Sequence, residues 1–166
     1  MTPPTHPYAD LAAAISERRA VLIAGTGISI AATGADPCAS WTGLLKHGLK
    51  WLRVHALISE AKAQAHLSLM DDEGSETHHF VSAAQDIVKQ MGGQGSVHFK
   101  AWLEETVGSL VRSDPEGLDA LHALRAHGNL LATTNYDGLL LGDSGRLTPV
   151  TWRQGDEFWG SGGDRR

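Results

Sequence analysis

The sequence predicts an α/β fold, a three-layer Rossmann-like parallel sheet carrying a large helical insertion, and three observations lead to it. Two short runs, Ala20 to Ala24 (AVLIA) and Asn129 to Thr134 (NLLATT), are apolar and uncharged. Continuous apolarity without alternation is the pattern of a strand buried on both faces of a parallel sheet. Between the runs, apolar residues recur at helical spacing over most of the chain. Each run also ends in a turn rich in Gly, Thr or Asn, and the carboxyl edge of an open α/β sheet is where such folds bind ligands.

Taken in order, Tyr8 to Arg19 has Leu11, Ala12 and Ile15 on one side and ends in Arg18 and Arg19, as a short amphipathic helix with cations at its C-terminus would. The first strand follows and stops at Gly25. From Ser40 to Ile58, a serine cap precedes Trp41, Leu44, Leu45, Leu49 and Leu52 at helical spacing. Further helices are expected over about Glu60 to Met70, Glu76 to Met91 and Ser96 to Val111, the second stopped by Gly92 and Gly93. Asp114 reads as a cap with Pro115 at the first helical position, and His127-Gly128 closes that helix. The second strand comes next, Thr148 to Trp152 is a weaker third, and Gly160 to Arg166 is polar, glycine-rich and expected to be disordered. The whole chain, 1–166, reads as one domain, with 18–36 and 128–152 as its nucleotide-binding core and 40–127 as the helical insertion.

Composition narrows the classes. The 166 residues, 42% hydrophobic and 20% charged, suffice for one core and not for two ordinary domains. No apolar run approaches the roughly 20 residues of a membrane-spanning helix, and Met1 to His6 is neither basic nor apolar, so the expectation is a cytoplasmic chain without a membrane partner. Fourteen basic and nineteen acidic residues give a net charge of −5, with no local basic patch to hold nucleic acid. The nine histidines make that charge less negative below about pH 6.5. The single cysteine, Cys38, can form neither an intrachain disulfide nor a cysteine-rich zinc site, and nothing near it in sequence would stabilise a thiolate.

The chemistry begins at Ala24 to Ser29 (AGTGIS), where a strand runs into Gly-Thr-Gly and then a helix start. Glycines there let the backbone approach a pyrophosphate, and the helix N-terminus favours its charge. The dinucleotide fingerprint G-x-G-x-x-G would need glycine at Ile30, and the phosphate-binding P-loop ending Gly-Lys-Ser/Thr is absent. Gly27 to Ala31 resembles a nucleophile elbow with alanine in the last position, but no histidine follows Asn135 or Asp137 as that enzyme class requires. A bare structural turn remains open.

The second motif, Thr133-Thr134-Asn135-Tyr136-Asp137, ends the second strand, so a parallel sheet sets it beside the first. Asn135 there can bond ribose hydroxyls or orient water, and Asp137 can brace the loop or accept a hydroxyl. An Asn-Tyr-Asp-Gly turn without function is the plain alternative.

Together the motifs resemble those of the sirtuin family: Gly25-Thr26-Gly27-Ile28-Ser29 is similar to its Gly-Ala-Gly-Ile-Ser, and the second motif to its Thr-Gln-Asn-Ile-Asp. Ala39 to Leu45 (ASWTGLL), with Tyr136 in place of isoleucine, looks like the bacterial sirtuin-like branch that hydrolyses NAD⁺ in defence against phage. The resemblance spans about Val21 to Trp152 and implies that Ala24, Gly25, Thr26, Gly27, Ser29, Thr134, Asn135 and Asp137 line an NAD⁺ site. Asn135 would stand at the nicotinamide ribose as the catalytic residue. The implied reaction is hydrolysis of NAD⁺ to nicotinamide and ADP-ribose through an oxocarbenium-like state. A non-catalytic NAD⁺ or ADP-ribose sensor is the alternative.

The sequence departs from that family twice. One cysteine cannot build the four-cysteine zinc module of the deacetylases, so no zinc is expected. The family's catalytic His-Gly motif lies beyond Asn-x-Asp, whereas no histidine here follows His127, so the chain reads as the N-terminal portion of such a domain. A homo-oligomer, a further effector domain or a partner chain would then complete the site. His78-His79, His122 and His127 read as surface or core histidines, and Asp71-Asp72-Glu73-Glu76 as a solvated loop. Trp41, Trp51 and Trp102 read as helix core, with Trp41 able to border the nucleotide pocket, while Trp152 and Trp159 would leave apolar surface near the chain's end.

Overall fold

A computed structural model describes residues 7–141, in which helices α1 (Pro7–Ser16), α2 (Thr26–Ala32), α3 (Trp41–Val54), α4 (Glu60–Asp71), α5 (Thr77–Gln90), α6 (Val97–Glu105) and α7 (Glu116–Ala126) accompany strands β1 (Val21–Ala24) and β2 (Leu130–Thr133). Serine caps start three of the helices: Ser40, Ser59 and Ser96 accept the N–H groups of Gly43, Lys62 and Phe99 at 3.0, 3.3 and 3.1 Å. Each satisfies a donor that the first helical turn leaves without a partner. At α7 the cap lies one residue later than expected, on Pro115, while the Asp114 carboxylate still accepts the Glu116 N–H at 3.2 Å. The helix expected to reach Val111 ends at Glu105, because Thr106 leaves helical geometry (φ −108°, ψ −92°) and a short 3₁₀ turn, Val107–Ser109, follows.

Helices α3 to α6 share one apolar core. Leu44, Leu45, Leu49, Trp51 and Leu52 of α3 meet Met70, Ala83, Ile87, Met91 and Trp102, with Leu49 and Leu52 completely buried. Gly48 makes this packing close: a Cβ there would lie 3.0 Å from Ile87 Cδ1 and 3.1 Å from Trp102 Cζ2. Trp51 and Trp102 take their expected core places, their ring N–H groups donating to Glu105 Oε2 at 2.7 Å and His47 Nδ1 at 3.3 Å. Trp41 does not, being 45% exposed at the start of α3.

Asp86 of α5 binds both Lys62 Nζ and His66 Nε2 of α4 at 2.8 Å. The hydrogen bond from Lys62, helped by that from His66, holds its carboxyl below the usual aspartate range against the opposing effect of burial. A carboxyl whose folded pKa is depressed contributes stability that is fully present above its unfolded value near 4, and the contribution is lost as pH falls through the folded value. Asp86→Asn should therefore lower the pH 7 stability by about 0.5–1 kcal/mol, as for a partly exposed ion pair. Thermal melts at pH 7 and pH 3 read this directly. A difference from the parent that is as large at the lower pH would show that the charge on Asp86 contributes nothing.

A second cluster, Ala24, Ala32, Leu118, Leu139 and Leu140 with Ile28, Leu110, Leu121 and Leu131 against it, joins α2 and α7 to the strands. β1 and β2 pair in parallel, with Val21, Leu22, Ile23 and Ala24 opposite Leu130, Leu131, Ala132 and Thr133. Both strands and their pairing accord with the sequence, but the architecture around them does not.

The three-layer Rossmann-like sheet is absent from the described residues, which are mostly helical with a single sheet of two short strands. Alternation along β1 turns Ala24 towards α2 and α7 and leaves Val21 and Ile23, on the opposite face, 59% and 70% exposed. Leu130 on the same open face is 60% exposed. The apolar run was thus a sound indicator of a strand but not of burial on both faces, since no second helical layer covers that side among the described residues. The expected third strand, Thr148 to Trp152, and the expected disordered end, Gly160 to Arg166, lie outside the described residues, as do Trp152 and Trp159. No helix among the described residues is long and apolar enough to cross a membrane.

Candidate functional site

The parallel pairing of two strands brings the two sequence motifs together at one edge. β1 ends at Ala24, and Gly25, extended at φ −113° and ψ −171°, caps α2 directly. Beyond the end of β2, the Thr134 N–H donates to the Ala24 carbonyl at 3.1 Å, which carries the ladder one residue further and sets Asn135 beside Gly25. The Thr133 hydroxyl accepts the Asn135 N–H at 3.0 Å and turns the chain out of the strand.

A small polar network then ties the motifs. Asn135 Nδ2 donates to the Gly25 carbonyl at 3.0 Å and to Ser29 Oγ at 2.7 Å. Ser29, which is buried, donates in turn to Asp137 Oδ2 at 2.7 Å. The other carboxylate oxygen of Asp137 accepts the Leu139 N–H at 3.1 Å, which folds the loop back so that Leu139 and Leu140 are buried beneath it. Asn135 Oδ1 is also buried and has no hydrogen-bond partner among the described residues.

Of the eight residues singled out from sequence, Ala24, Gly25, Ser29, Thr134, Asn135 and Asp137 are linked by these contacts. Thr26 and Gly27 lie on the exposed side of the same turn, and Tyr136 is 78% exposed. Two contributors were not singled out: Thr133, which sets the exit angle, and Arg112, whose guanidinium donates to the Leu139 carbonyl at 2.5 Å. Thr133 stood within the quoted motif. Arg112 carried no signal, since its role depends on the chain returning past it from a distant segment.

The motif glycines are not demanded by packing. A Cβ on Gly25 would meet nothing nearer than Thr134 Oγ1 at 3.8 Å, and one on Gly27 would meet no described atom within 4 Å. Neither residue has the positive φ that strains other residues, and glycine inside a helix costs up to about 1 kcal/mol relative to alanine. Gly25 suits its place as the cap of α2, where glycine is preferred over alanine, whereas at Gly27 neither the space nor the backbone angle among the described residues calls for glycine, and close approach of a ligand to the backbone would.

Cys38 lies in a 3₁₀ turn, Pro37–Ala39, where its N–H donates to Asp36 at 2.8 Å. Burial, and then the Asp36 charge, push its thiol above the usual cysteine value, so it stays protonated at neutral pH, in line with the sequence. No described histidine is hydrogen-bonded to Ser29, Asn135 or Asp137; His122 is in α7 and His127 at its end. His78 and Glu76 pair at 3.1 Å on the surface, and no group of three or more potential metal ligands occurs among the described residues. Two concavities on the α3–α4 side, bordered by Arg53 and Glu60, share no residue with the corner formed by the motifs.

Comparison with known protein families, with curated proteins and with solved structures finds no match for this chain.

Proposed function

We propose that the corner between β1 and β2 binds NAD⁺ and hydrolyses it to nicotinamide and ADP-ribose. The observation that carries this reading is the convergence of the two motifs on one sheet edge, locked by the hydrogen bonds of Asn135 to Gly25 and Ser29. Open backbone at Gly25 and Gly27 supports it, because a pyrophosphate needs approach without Cβ atoms in the way. So does the similarity of both motifs to those of the sirtuin family.

In this reading Gly25, Thr26, Gly27 and Ser29 lie along the phosphates and the adjoining ribose, and Thr134, Asn135 and Asp137 form the reacting end. The nicotinamide–ribose bond breaks with its electron pair leaving on the ring nitrogen, so that nicotinamide departs neutral. Water then adds to the cationic ribose carbon and loses a proton to solvent. Such a reaction needs positioning and control of water more than covalent chemistry from the protein. Depletion of NAD⁺ in antiphage defence is the role that the resemblance suggests.

A second reading, a non-catalytic NAD⁺ or ADP-ribose sensor, is favoured by one observation: among the described residues no histidine is hydrogen-bonded to Asn135. Calorimetric titration with NAD⁺, followed by an assay of released nicotinamide on the same sample, separates the two. Binding with release is the expected result. Binding without release would assign the sensor, and no heat of binding with no release would remove both readings.

A further inference from the structure

The direction of each hydrogen bond at the corner follows from which groups can donate. The Ser29 hydroxyl has one proton, and its partner Asp137 Oδ2, a carboxylate oxygen 2.7 Å away, can only accept it. With that proton committed, Ser29 Oγ presents lone pairs to Asn135 Nδ2 at 2.7 Å. The Gly25 carbonyl, 3.0 Å from the same nitrogen, is likewise only an acceptor. Two acceptors on one amide nitrogen decide which way round the Asn135 side chain sits, and its oxygen is the atom left over. That oxygen is buried and has no partner among the described residues, a destabilising state that an arriving donor relieves.

We infer that Asp137, acting through Ser29, is a positioning residue that sets the polarity of the Asn135 amide, so that a ligand meets an acceptor at Asn135 and must bring a hydroxyl or an N–H to it. A phosphate oxygen does not fit at this end of the site, which gives the corner a polarity from its glycine end to its asparagine end. The amide polarity stands independently of ligand identity, whereas the use of NAD⁺ as the probe rests on the function proposed above.

The test uses the ¹⁵N-labelled chain and follows hydrogen exchange of the Asn135 side-chain NH₂ pair, assigned by its disappearance in Asn135→Ala. In the ligand-free parent the pair should exchange at least roughly tenfold more slowly than an exposed asparagine side chain, because its nitrogen donates to both the Gly25 carbonyl and Ser29 Oγ. Ser29→Ala and Asp137→Ala should each lower that protection severalfold, towards what the Gly25 carbonyl alone retains, while leaving the backbone amide spectrum otherwise folded. Asp137 is only half-buried, so its variant reads the relay even if Ser29→Ala does not fold. An unprotected pair in the parent, or protection unchanged in the folded variants, would overturn the relay. On adding NAD⁺ the Asn135 NH₂ nitrogen resonance should move as Oδ1 gains a donor. NAD⁺ that shifts other residues of the corner but not this one would overturn the donor requirement. If NAD⁺ shifts nothing, it is the NAD⁺ proposal that fails, and the ligand-free exchange still decides the relay.

Discussion

Gly43→Ala should destabilise the chain by about 2–3 kcal/mol, the range of an overpacked core position. Gly43 is in the first turn of α3, and a Cβ there would lie 1.9 Å from the Pro37 carbonyl oxygen, 2.6 Å from its carbon and 2.9 Å from Ser40 Oγ. The obstacle is backbone, not the movable tip of a side chain, and it belongs to the 3₁₀ turn that links α2 to α3. The same Pro37 carbonyl accepts the Ser40 N–H at 3.1 Å and the Ser40 hydroxyl at 2.9 Å, so displacing it also disturbs the cap of α3. Losing a cap costs about 1 kcal/mol, and the better helix propensity of alanine returns about as much, which leaves the steric cost. The melting temperature should fall by roughly 5–10 °C. Gly27→Ala is the contrast, since it adds a methyl group to open space within α2. Its stability should equal or exceed the parent's by up to about 1 kcal/mol, while in the function proposed above the affinity for NAD⁺ falls. Melts that drop equally in both variants would mean that the turn is not seated against α3 as described.

Asn135→Asp is expected, in the function proposed above, to lower nicotinamide release by a hundredfold or more while changing the side-chain volume hardly at all. The substitution replaces an N–H donor by an oxygen facing the Gly25 carbonyl and Ser29 Oγ, at sites now 3.0 and 2.7 Å from nitrogen, and it adds a second carboxylate to the network holding Asp137. Ser29 can supply its one proton to only one of the two acids. Leaving buried acceptors unmet costs about 1–3 kcal/mol, so the melting temperature should fall as well. In the function proposed here, misplacing the reacting end lowers the rate of nicotinamide release by a hundredfold or more. Asn135→Ala should lose activity comparably with a smaller effect on stability, because it introduces no charge. Parent-like release from either variant would remove Asn135 from the catalytic role.

The helices were legible because their signals are local. Ser40, Ser59 and Ser96 each sit immediately before an apolar-periodic segment, and a cap acts within three residues of itself. Gly92 and Gly93, at φ +89° and +93°, end α5 where only glycine adopts the required backbone easily. The candidate site was legible to a similar degree, because a strand followed by Gly-x-Gly and a strand followed by Asn-x-Asp-Gly each define a turn on their own. The direction of the Ser29, Asn135 and Asp137 hydrogen bonds was not, since it depends on atoms brought together from more than a hundred positions apart. Arg112 was invisible for the same reason.

What the sequence determined by itself is the existence and type of each described α-helix and strand and the two motifs that the strands deliver, because propensity, capping and turn chemistry act over a few residues. Only the tertiary structure decided how many layers surround the strands, that Val21, Ile23 and Leu130 face outward, and that Trp41 lies exposed while Trp51 and Trp102 are buried. An apolar run reports that burial would be favourable, whereas whether a helix arrives to provide it depends on where the rest of the chain packs. Here α3 to α6 bury their apolar faces against one another, and among the described residues α2 and α7 cover a single side of the two strands.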